Sequence, residues 1–351
     1  MAVLQERAPE FSDAEAMGIL RTHWCIDANV RSLISERDQN FRATATNGSE
    51  FVLKIANAAE PEAVTDFQIK ALIHIRERVE TLRLPIRAPE VRRTPDGQES
   101  VRIERGGAAH VVRVVSFVPG VPLGDNLPSP VLAKNMGAYL ANLGLALDGF
   151  SHPGSGHSLM WDIQQALNLR DLIGYVRTPE TGEAVSAALD AFESHALPVM
   201  PGLRKQVIHS DMNPDNVLLD RAGGDTVAGV IDFGDMLAAP LVADVAIAGS
   251  YLRAPAGDPL SLIAEVLAGY QGIRPLAGNE LDILFELVLA RLCASIAILD
   301  WRAASREGDD PYLAERVDGV GSAEQFLLAL LEIPREHARQ VFRQVAASVG
   351  D

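Results

Sequence analysis

The fold of this chain is decided by two stretches, VIHSDMNPDNVLLD at residues 207–220 and VAGVIDFGD at residues 227–235. In the first, Asp211 is followed five residues later by Asn216; in the second, Asp232 begins an Asp-Phe-Gly triplet. A carboxylate near an attacking hydroxyl can accept its proton, and Mg²⁺ prefers oxygen ligands such as carboxylates and carboxamides. The pattern therefore predicts phosphoryl transfer, with Asp211 as the catalytic base and Asn216 and Asp232 as the magnesium ligands.

Each half of this pattern is weak alone, because Asp and Asn are common in turns. Together, each after an apolar run typical of a strand, the two halves are specific. Lys54 is a further candidate, because this chemistry needs a cation over the α- and β-phosphates. The chain has only four lysines, and Lys54 lies within the strand-like run FVLKI (51–55), just before a helix. A solvent-exposed strand face is the alternative interpretation of this lysine.

The composition of the 351 residues is typical of an acidic globular enzyme of about two lobes. The 31 Lys and Arg against 47 Asp and Glu give a formal net charge of −16, which argues against nucleic acid as a partner. Cys25 and Cys293 form no CxxC pair, so neither a structural zinc site nor a disulfide framework is expected. The N-terminus lacks the pattern of a signal peptide, and the apolar run at 281–299 contains charged residues, which argues against a membrane span. We therefore expect a cytoplasmic protein without a membrane partner.

The first third of the sequence predicts two hairpins separated by a helix. The strands FRATAT (41–46) and FVLKI (51–55) are joined through Asn47-Gly48, a strong hairpin signal. A helix begins after Pro61, and its apolar residues share one stripe. A second hairpin turns at Gly106-Gly107.

Beyond the break at Pro119-Gly120, the sequence is mostly helical. Ser129-Pro130 fits an N-cap and the first position of a helix. Between residues 207 and 233, short apolar runs broken by polar residues predict loops between short strands. We therefore expect a small β-rich lobe with one helix over residues 1–118 and a larger, mostly helical lobe over residues 119–351.

The segments VIHSDMNPDNVLL and GVIDFGDMLAAPLVADVAIA resemble the signatures of the aminoglycoside phosphotransferase/choline kinase family. The likeness is closest to the hydroxylysine kinase branch. It extends over both lobes through RDQNF (37–41), FVLKIANAAEP (51–61), RVVSFVPGVPL (113–123), WD (161–162) and WRAASREGDDPYL (301–313). The resemblance implies a bilobal, protein-kinase-like α+β fold, with a small antiparallel-sheet N-lobe carrying one helix and a larger, mostly helical C-lobe. It also implies Mg²⁺ as the cofactor and ATP or GTP as the phosphoryl donor.

The resemblance assigns roles to residues of the nucleotide side. Lys54 would bind phosphate oxygens, and the backbone of Ser116, Phe117 and Val118 would meet the purine as a hinge. The helix position that usually offers Glu to the lysine looks like Gln68, which can accept a hydrogen bond from an ammonium but brings no charge. The chain has no GxGxxG loop, so it would cover the phosphates with fewer glycines.

Two residues near the motif are implied to support it. His209 would order the loop by hydrogen bonds without transferring protons. Asp244 would tie the loop to the following helix, with a simple helix cap as the alternative. Ser210 stands where Gly or Arg is usual in the family, and we expect this departure to be harmless.

Candidates for the acceptor site come from the second lobe. Asp235 could bind a substrate ammonium or cap a turn. Arg291 interrupts an apolar helix, so it either meets a structural carboxylate or binds a substrate carboxylate. An acceptor with both groups, such as a hydroxy-amino acid, would use both residues. The further candidates are Trp161, which is also typical of a core anchor, Asp162, Trp301, Arg302 and Tyr312.

The sequence therefore predicts a small-molecule kinase that phosphorylates a hydroxyl of an amino-alcohol or hydroxy-amino acid. The acceptor is expected to carry an ammonium group. One alternative is an aminoglycoside O-phosphotransferase, which would need a broad acidic cleft. Another is a pseudokinase that binds nucleotide without turnover, although its base and metal positions are all present.

Overall fold

An antiparallel sheet of six strands forms the N-terminal part of the protein. The computed structural model describes residues 8–124, 127–254, 257–305 and 317–350. The elements of this part are α1 (Asp13–Trp24), β1 (Ala28–Leu33), β2 (Gln39–Ala45), β3 (Glu50–Ile55), α2 (Glu62–Leu82), β4 (Val91–Arg92), β5 (Val101–Arg105) and β6 (Ala108–Ser116). The strand order is β1-β2-β3-β6-β4, with β5 paired to β6.

Both predicted hairpins are confirmed. β2 pairs with β3 across Asn47-Gly48, where Gly48 has a φ of +83°. β5 pairs with β6 across Gly106-Gly107, whose φ values are +60° and +82°. Both turns use the left-handed region that glycine adopts without steric cost, which explains why these dipeptides fix the hairpins. The helix predicted after Pro61 is α2.

The register of the sheet places Lys54 between two polar residues. Lys54 lies opposite Asn40 on β2 and opposite Arg113 on β6. Directly opposite residues of antiparallel strands share one face of the sheet, so these three side chains start from the same face. The alternate residues, such as Leu53 and Val114, are buried in an apolar core on the other face, together with side chains of α1.

The structure adds α1 to the single helix expected in the N-lobe. The helix begins with a capping box, in which Oγ of Ser12 accepts from the N–H of Glu15 at 3.2 Å. In return, the Glu15 carboxylate accepts from the N–H of Ser12 at 2.7 Å. These two hydrogen bonds satisfy N–H groups that have no partner within the helix. On the apolar side of α1, Leu20 and Trp24 are buried.

The rest of the chain is mostly helical, as predicted. The cap predicted at Ser129 is confirmed, because its Oγ accepts from the N–H of Leu132 at 3.0 Å. Its elements are β7 (Val121–Pro122), α3 (Pro130–Ala146), α4 (Pro179–Ala191), β8 (Lys205–Ile208), β9 (Val217–Leu219), β10 (Val227–Val230), β11 (Leu237–Pro240), α5 (Leu241–Ser250), α6 (Ser261–Gln271), α7 (Gly278–Leu281), α8 (Leu284–Ser305), α9 (Val317–Leu331) and α10 (Arg335–Gly350). A 3₁₀ segment, Ile163–Tyr175, lies between α3 and α4.

The chain divides into two compact units. Unit 1 comprises the residues up to Glu77, Arg87–Val118 and His152–His157; unit 2 comprises Arg78–Ile86, Pro119–Ser151 and the residues from Ser158 onward. The lobe boundaries 1–118 and 119–351 remain a prediction.

Four short strands of unit 2 carry the loops that contain the sequence motifs. β8 pairs with β11, and β9 pairs with β10. Residues 209–216 therefore connect β8 to β9, and residues 231–236 connect β10 to β11. The N–H of Ile231 donates to the carbonyl of Asn216 at 3.0 Å, so the two loops lie side by side.

The apolar run at 281–299 falls within α7 and α8, with a break between the two helices near its start. Within the part of the chain that the structure describes, none of the helices has the length and apolarity that a membrane crossing requires.

Candidate active site

Asp244, near the start of α5, anchors residues 209–216, which we call the Asp211 loop. Its Oδ1 accepts from the N–H of Ser210 at 2.8 Å, and its Oδ2 accepts from the N–H of His209 at 3.2 Å. Ser210 has a φ of +65°, a conformation that costs a residue with a side chain roughly 1–2 kcal/mol. The predicted tie between Asp244 and the loop is therefore confirmed. Burial raises the pKa of Asp244 to about 6.

His209 connects the two motif loops. Burial lowers the pKa of this imidazole to about 4, so the ring is neutral at pH 7. Its Nδ1 accepts from the N–H of Asp211 at 3.2 Å, which leaves the ring proton on Nε2, 3.2 Å from the carbonyl oxygen of Ile231. Phe233 packs edge-on against the ring at 4.7 Å. Both ring nitrogens are therefore used to order the loops, as predicted.

Three side chains hold the carboxylate of Asp211. Its Oδ1 accepts from Nη2 of Arg291 and from Nδ2 of Asn213, each at 3.0 Å. Its Oδ2 accepts from Nδ2 of Asn216 at 2.8 Å and from Asn213 at 3.0 Å. The side chain of Asp211 is nevertheless 17% exposed, so it is fixed in orientation but open on one side.

Asn213 is a residue that the sequence analysis did not identify. Its Oδ1 accepts from the N–H groups of Asp215 and Asn216 at 2.9 and 3.1 Å, which folds the loop back on itself. Asparagine before proline is a common turn former, so the Asn213-Pro214 dipeptide was the signal for this role.

The charged groups around Asp211 shift its pKa in opposite directions. Burial raises the pKa of this carboxyl, the neighbouring Asp235 and Asp232 raise it further, and the Arg291 guanidinium lowers it. A carboxylate with a raised pKa is a better proton acceptor, which suits the predicted role of a general base.

Asn216 and Asp232 have the chemistry of magnesium ligands. Because Nδ2 of Asn216 donates to Asp211, its carboxamide oxygen is the end that would face a metal ion. Asp232 sits on the neighbouring loop with a φ of +58°, and its Oδ1 accepts from the N–H of Gly234 at 3.3 Å. Among the described residues, no group of three or more His, Cys, Asp or Glu could hold a metal ion by itself. Two oxygen ligands fit Mg²⁺, which commonly takes its remaining ligands from water and substrate phosphates.

Arg291 of α8 meets the carboxylate of Asp211 and lies in an aromatic cage. Its Nη2 also donates to the hydroxyl of Tyr251 at 2.8 Å, and its Nη1 donates to the carbonyl of Trp161 at 3.3 Å. The guanidinium carbon lies 4.9 Å from the ring centre of Trp161 and 5.5 Å from that of Tyr251. Tyr251, just after α5, carried no sequence signal, because its approach to α8 depends on helix packing.

The other predicted acceptor residues are dispersed over unit 2. Asp235 is buried, 6% exposed, and close enough to Asp211 to affect its pKa. Asp162 caps the 3₁₀ segment by accepting from the N–H of Gln164 at 2.9 Å. Trp301 and Arg302 lie almost three turns beyond Arg291, about 15 Å along α8. Tyr312 lies outside the described residues. Roles in acceptor binding remain predictions for all of these residues.

In unit 1, Gln68 of α2 contacts a second buried arginine. Its Oε1 accepts from Nη2 of Arg113 at 2.5 Å, and Arg113 is 3% exposed. The same Nη2 atom lies 3.8 Å from a carboxylate oxygen of Asp38. Lys54 lies opposite Arg113 in the sheet, so two cations start from neighbouring positions on one face. The sequence analysis missed Arg113, because only the strand register brings it next to Lys54.

The predicted hinge residues lie at the end of β6, where Ser116 is the last residue of the strand. The N–H of Ser116 donates to the carbonyl of Glu90 at 2.8 Å, and the N–H of Phe117 donates to that of Glu50 at 3.2 Å. The Phe117 ring lies 4.0 Å from the guanidinium carbon of Arg42. Recognition of a purine here would therefore use the carbonyl groups or the N–H of Val118. This role for the three residues remains a prediction.

Comparison with known proteins agrees with the site. The sequence matches the Phosphotransferase enzyme family over residues 30–278, which include Lys54 and both motif loops. The chain belongs to this family. The resemblance stated from its signature segments is thereby confirmed.

The relatives of the chain are kinases of small molecules. It is 26% identical to a hydroxylysine kinase of Danio rerio over 322 residues, which cover 88% of this chain and 89% of that protein. Among solved structures, a microcompartment-associated aminopropanol kinase has a TM-score of 0.66 at 17% identity, covering 95% of this chain and 99% of that one. An amicoumacin kinase in complex with AMP-PNP and Ca²⁺ has a TM-score of 0.67 at 14% identity, covering 93% and 95%. These likenesses confirm the protein-kinase-like α+β fold and the phosphotransferase class.

Proposed function

We propose that this protein is a hydroxylysine-kinase-like enzyme that transfers the γ-phosphoryl group of ATP or GTP to a hydroxyl of a hydroxy-amino acid or amino-alcohol. The observation that carries the proposal is the carboxylate of Asp211, held by Arg291, Asn213 and Asn216 but open on one side. Similarity to hydroxylysine kinases over 88% of the chain supports the class of acceptor.

In the proposed reaction, Asp211 accepts the proton of the acceptor hydroxyl as its oxygen attacks the γ-phosphorus. The bond between that phosphorus and the β–γ bridging oxygen breaks, which yields a phosphate ester and a nucleoside diphosphate. Asn216 and Asp232 would hold Mg²⁺, which neutralises negative charge on the phosphates when bound. Lys54 would bind phosphate oxygens. Help from a general base is typically a factor of about 10²–10⁴ in rate.

The charge around the loop favours an acceptor with an ammonium group. Asp211, Asp232 and Asp235 lie close enough for the two others to shift the pKa of Asp211. The Arg291 guanidinium opposes them by lowering this pKa. An ammonium group near Asp235 would reduce this repulsion, whereas an uncharged alcohol would not.

The aminoglycoside O-phosphotransferase remains the second candidate, since a polycationic acceptor would suit the same carboxylates. A pseudokinase is the candidate from another class. It would bind nucleotide without magnesium-dependent turnover, although the residues proposed for base and metal are intact.

A coupled nucleotide-consumption assay tests the proposal. ATP and GTP are supplied in parallel with Mg²⁺, against hydroxylysine, homoserine, choline, ethanolamine and kanamycin. We expect turnover of a hydroxy-amino acid or amino-alcohol, and we expect Asp211→Asn to lower kcat at least about 10²-fold with nucleotide affinity retained. Asp220→Asn, at an exposed aspartate just after β9, is the matched control.

Each other outcome changes a specific part of the proposal. Turnover of kanamycin alone would assign the enzyme to antibiotic phosphorylation. Nucleotide binding without any turnover would favour the pseudokinase. Full activity of Asp211→Asn would remove Asp211 from the role of base.

A further inference from the structure

The burial of Arg291 demands an explanation. The residue is 1% exposed and lies within α8, where Ala290, Leu292 and Cys293 are also buried. Removing a guanidinium from water costs several kcal/mol unless its donors and charge are matched. Its Nη2 and Nη1 have partners, while its Nε has none among the described residues. Burying Arg291 in this apolar helix therefore carries a desolvation cost. An apolar side chain such as leucine would not carry that cost.

The partners of Arg291 come from three separate segments of unit 2. Asp211 belongs to the loop after β8, Tyr251 follows α5, and Trp161 precedes the 3₁₀ segment. One nitrogen, Nη2, donates to both Asp211 and the Tyr251 hydroxyl, while the two aromatic rings flank the guanidinium. These contacts hold the planar guanidinium in one orientation. They therefore also hold the carboxylate oxygen of Asp211 that it contacts.

We propose that Arg291 is a positioning residue for phosphoryl transfer: held by Tyr251 and Trp161, it fixes the carboxylate of Asp211 for proton acceptance. This inference rests on the proposed function, since it assumes that Asp211 is the base. It differs from the other reading of Arg291, in which the guanidinium binds a carboxylate of the acceptor. The contact with Asp211 and the near-complete burial favour the positioning role.

The two roles predict different kinetics. If Arg291 fixes Asp211, its loss lowers kcat for every acceptor, whether or not the acceptor has a carboxylate. If Arg291 binds the acceptor carboxylate, its loss raises KM for the carboxylated acceptor alone. A pair of acceptors that differ only in this group separates the two, for example hydroxylysine and its decarboxylated analogue 1,5-diaminopentan-2-ol.

The experiment measures kcat and KM of the full chain with both acceptors for Arg291→Gln, Arg291→Lys and Tyr251→Phe. For Arg291→Gln we expect kcat to fall about 10²-fold with both acceptors, because small displacements of a reacting group cost about this much. The acceptor KM should change less than about 3-fold. Arg291→Lys keeps the charge without the fork and should recover part of the rate. Tyr251→Phe keeps the ring but loses the hydroxyl, so it should cost about 3- to 10-fold in kcat.

Arg204→Gln is the matched control, because it breaks the ion pair of another arginine with a buried carboxylate, that of Glu280, and leaves Asp211 and Arg291 unchanged. Its kcat should stay within about 2-fold of that of the parent. If Arg291→Gln does not fold, the kcat of Tyr251→Phe tests the positioning role, because this variant keeps the arginine and both aromatic rings. Slow nucleotide hydrolysis, in which water replaces the acceptor, is a second activity that can be measured for every variant.

The failures are distinguishable. A parent that neither phosphorylates an acceptor nor hydrolyses nucleotide would overturn the proposed function, and this inference with it. An active parent with unchanged kcat in both Arg291→Gln and Tyr251→Phe would overturn the inference alone. A loss confined to the KM of hydroxylysine would identify Arg291 as a receptor for the acceptor carboxylate.

Discussion

The two units balance a buried arginine in different ways. In unit 2, Arg291 contacts a carboxylate at 3.0 Å, a phenol hydroxyl and a carbonyl, and two aromatic rings flank it. In unit 1, Arg113 contacts the neutral carboxamide of Gln68, its Nη1 has no partner among the described residues, and the Asp38 carboxylate is 3.8 Å away. In unit 2 a carboxylate lies within hydrogen-bond distance of the arginine, whereas in unit 1 the ion pair of Arg113 with Asp38 is longer, at 3.8 Å.

This difference corresponds to what each unit is proposed to bind. Burial raises the pKa of Glu60, the charge of Asp38 raises it further, and the Arg113 guanidinium lowers it. Arg113 places a second cation at the position next to Lys54, and we expect it to add to the attraction for the phosphates of a nucleotide. In unit 2, matched charge instead fixes the geometry of a reacting group.

The largest effect on stability is expected at Asp244, where backbone N–H groups rather than an arginine hold a buried carboxylate. Its pKa is raised to about 6, so between about pH 4 and 6 the folded protein binds a proton that the unfolded chain has lost. Stability from this group is therefore complete below about pH 4 and is lost as the pH rises through about 6. The loss amounts to at most about 3 kcal/mol.

Denaturant unfolding of the protein and of Asp244→Asn, from pH 4.5 to 7.5, measures this effect. Asn cannot titrate, so the stability advantage of the parent should shrink as the pH rises. Asp220→Asn is the control at an exposed acid, and its difference from the parent should stay nearly flat. A constant difference for Asp244→Asn would mean that the two N–H donors keep this carboxylate ionised and outweigh its burial.

The elements that sequence reasoning predicts best are those fixed by local interactions. Asn47-Gly48 and Gly106-Gly107 set their hairpins through backbone conformation alone, and Ser129 caps its helix within one turn. Asp211 and Asn216 lie on one loop, so their spacing already predicts that they meet. The capping box of Ser12 and Glu15 is equally local, so the start of α1 also has a signal in the sequence.

The contacts that the sequence could not predict join distant segments. Arg291 and Tyr251 are 40 residues apart, and Arg113 and Gln68 are 45 apart. Arg291 stood out as a charge in an apolar helix, which indicates a partner without naming it. Arg113 gave no such signal, because its position beside Lys54 follows from strand register, which depends on the packing of the whole sheet.

Removing Arg113 of unit 1 should affect nucleotide binding, whereas removing Arg291 of unit 2 should affect kcat. We expect Arg113→Met to raise the nucleotide KM about 10-fold and to change kcat less than about 3-fold. The reason is that a second cation beside Lys54 is lost and Gln68 Oε1 loses its donor. Steady-state kinetics with varied nucleotide measures this. Arg102→Met, at an exposed arginine of β5, is the control. An unchanged nucleotide KM would contradict the proposed contribution of Arg113 to nucleotide binding.

Gln68→Glu would give Arg113 the direct carboxylate partner that Arg291 already has, and so make the two units alike. The new carboxylate would form a charge-assisted hydrogen bond with Arg113, but the cost of burying it cancels much of that gain. The free energy of unfolding should therefore rise by at most about 1 kcal/mol. The new negative charge should weaken nucleotide binding about 3-fold, because it neutralises the field that attracts the phosphates. Thermal unfolding and nucleotide titration measure the two effects, with Gln165→Glu on an exposed position of unit 2 as the control. Tighter nucleotide binding or a higher kcat would instead show that position 68 serves Lys54, as the glutamate of the family does, and that Arg113 contributes to stability alone.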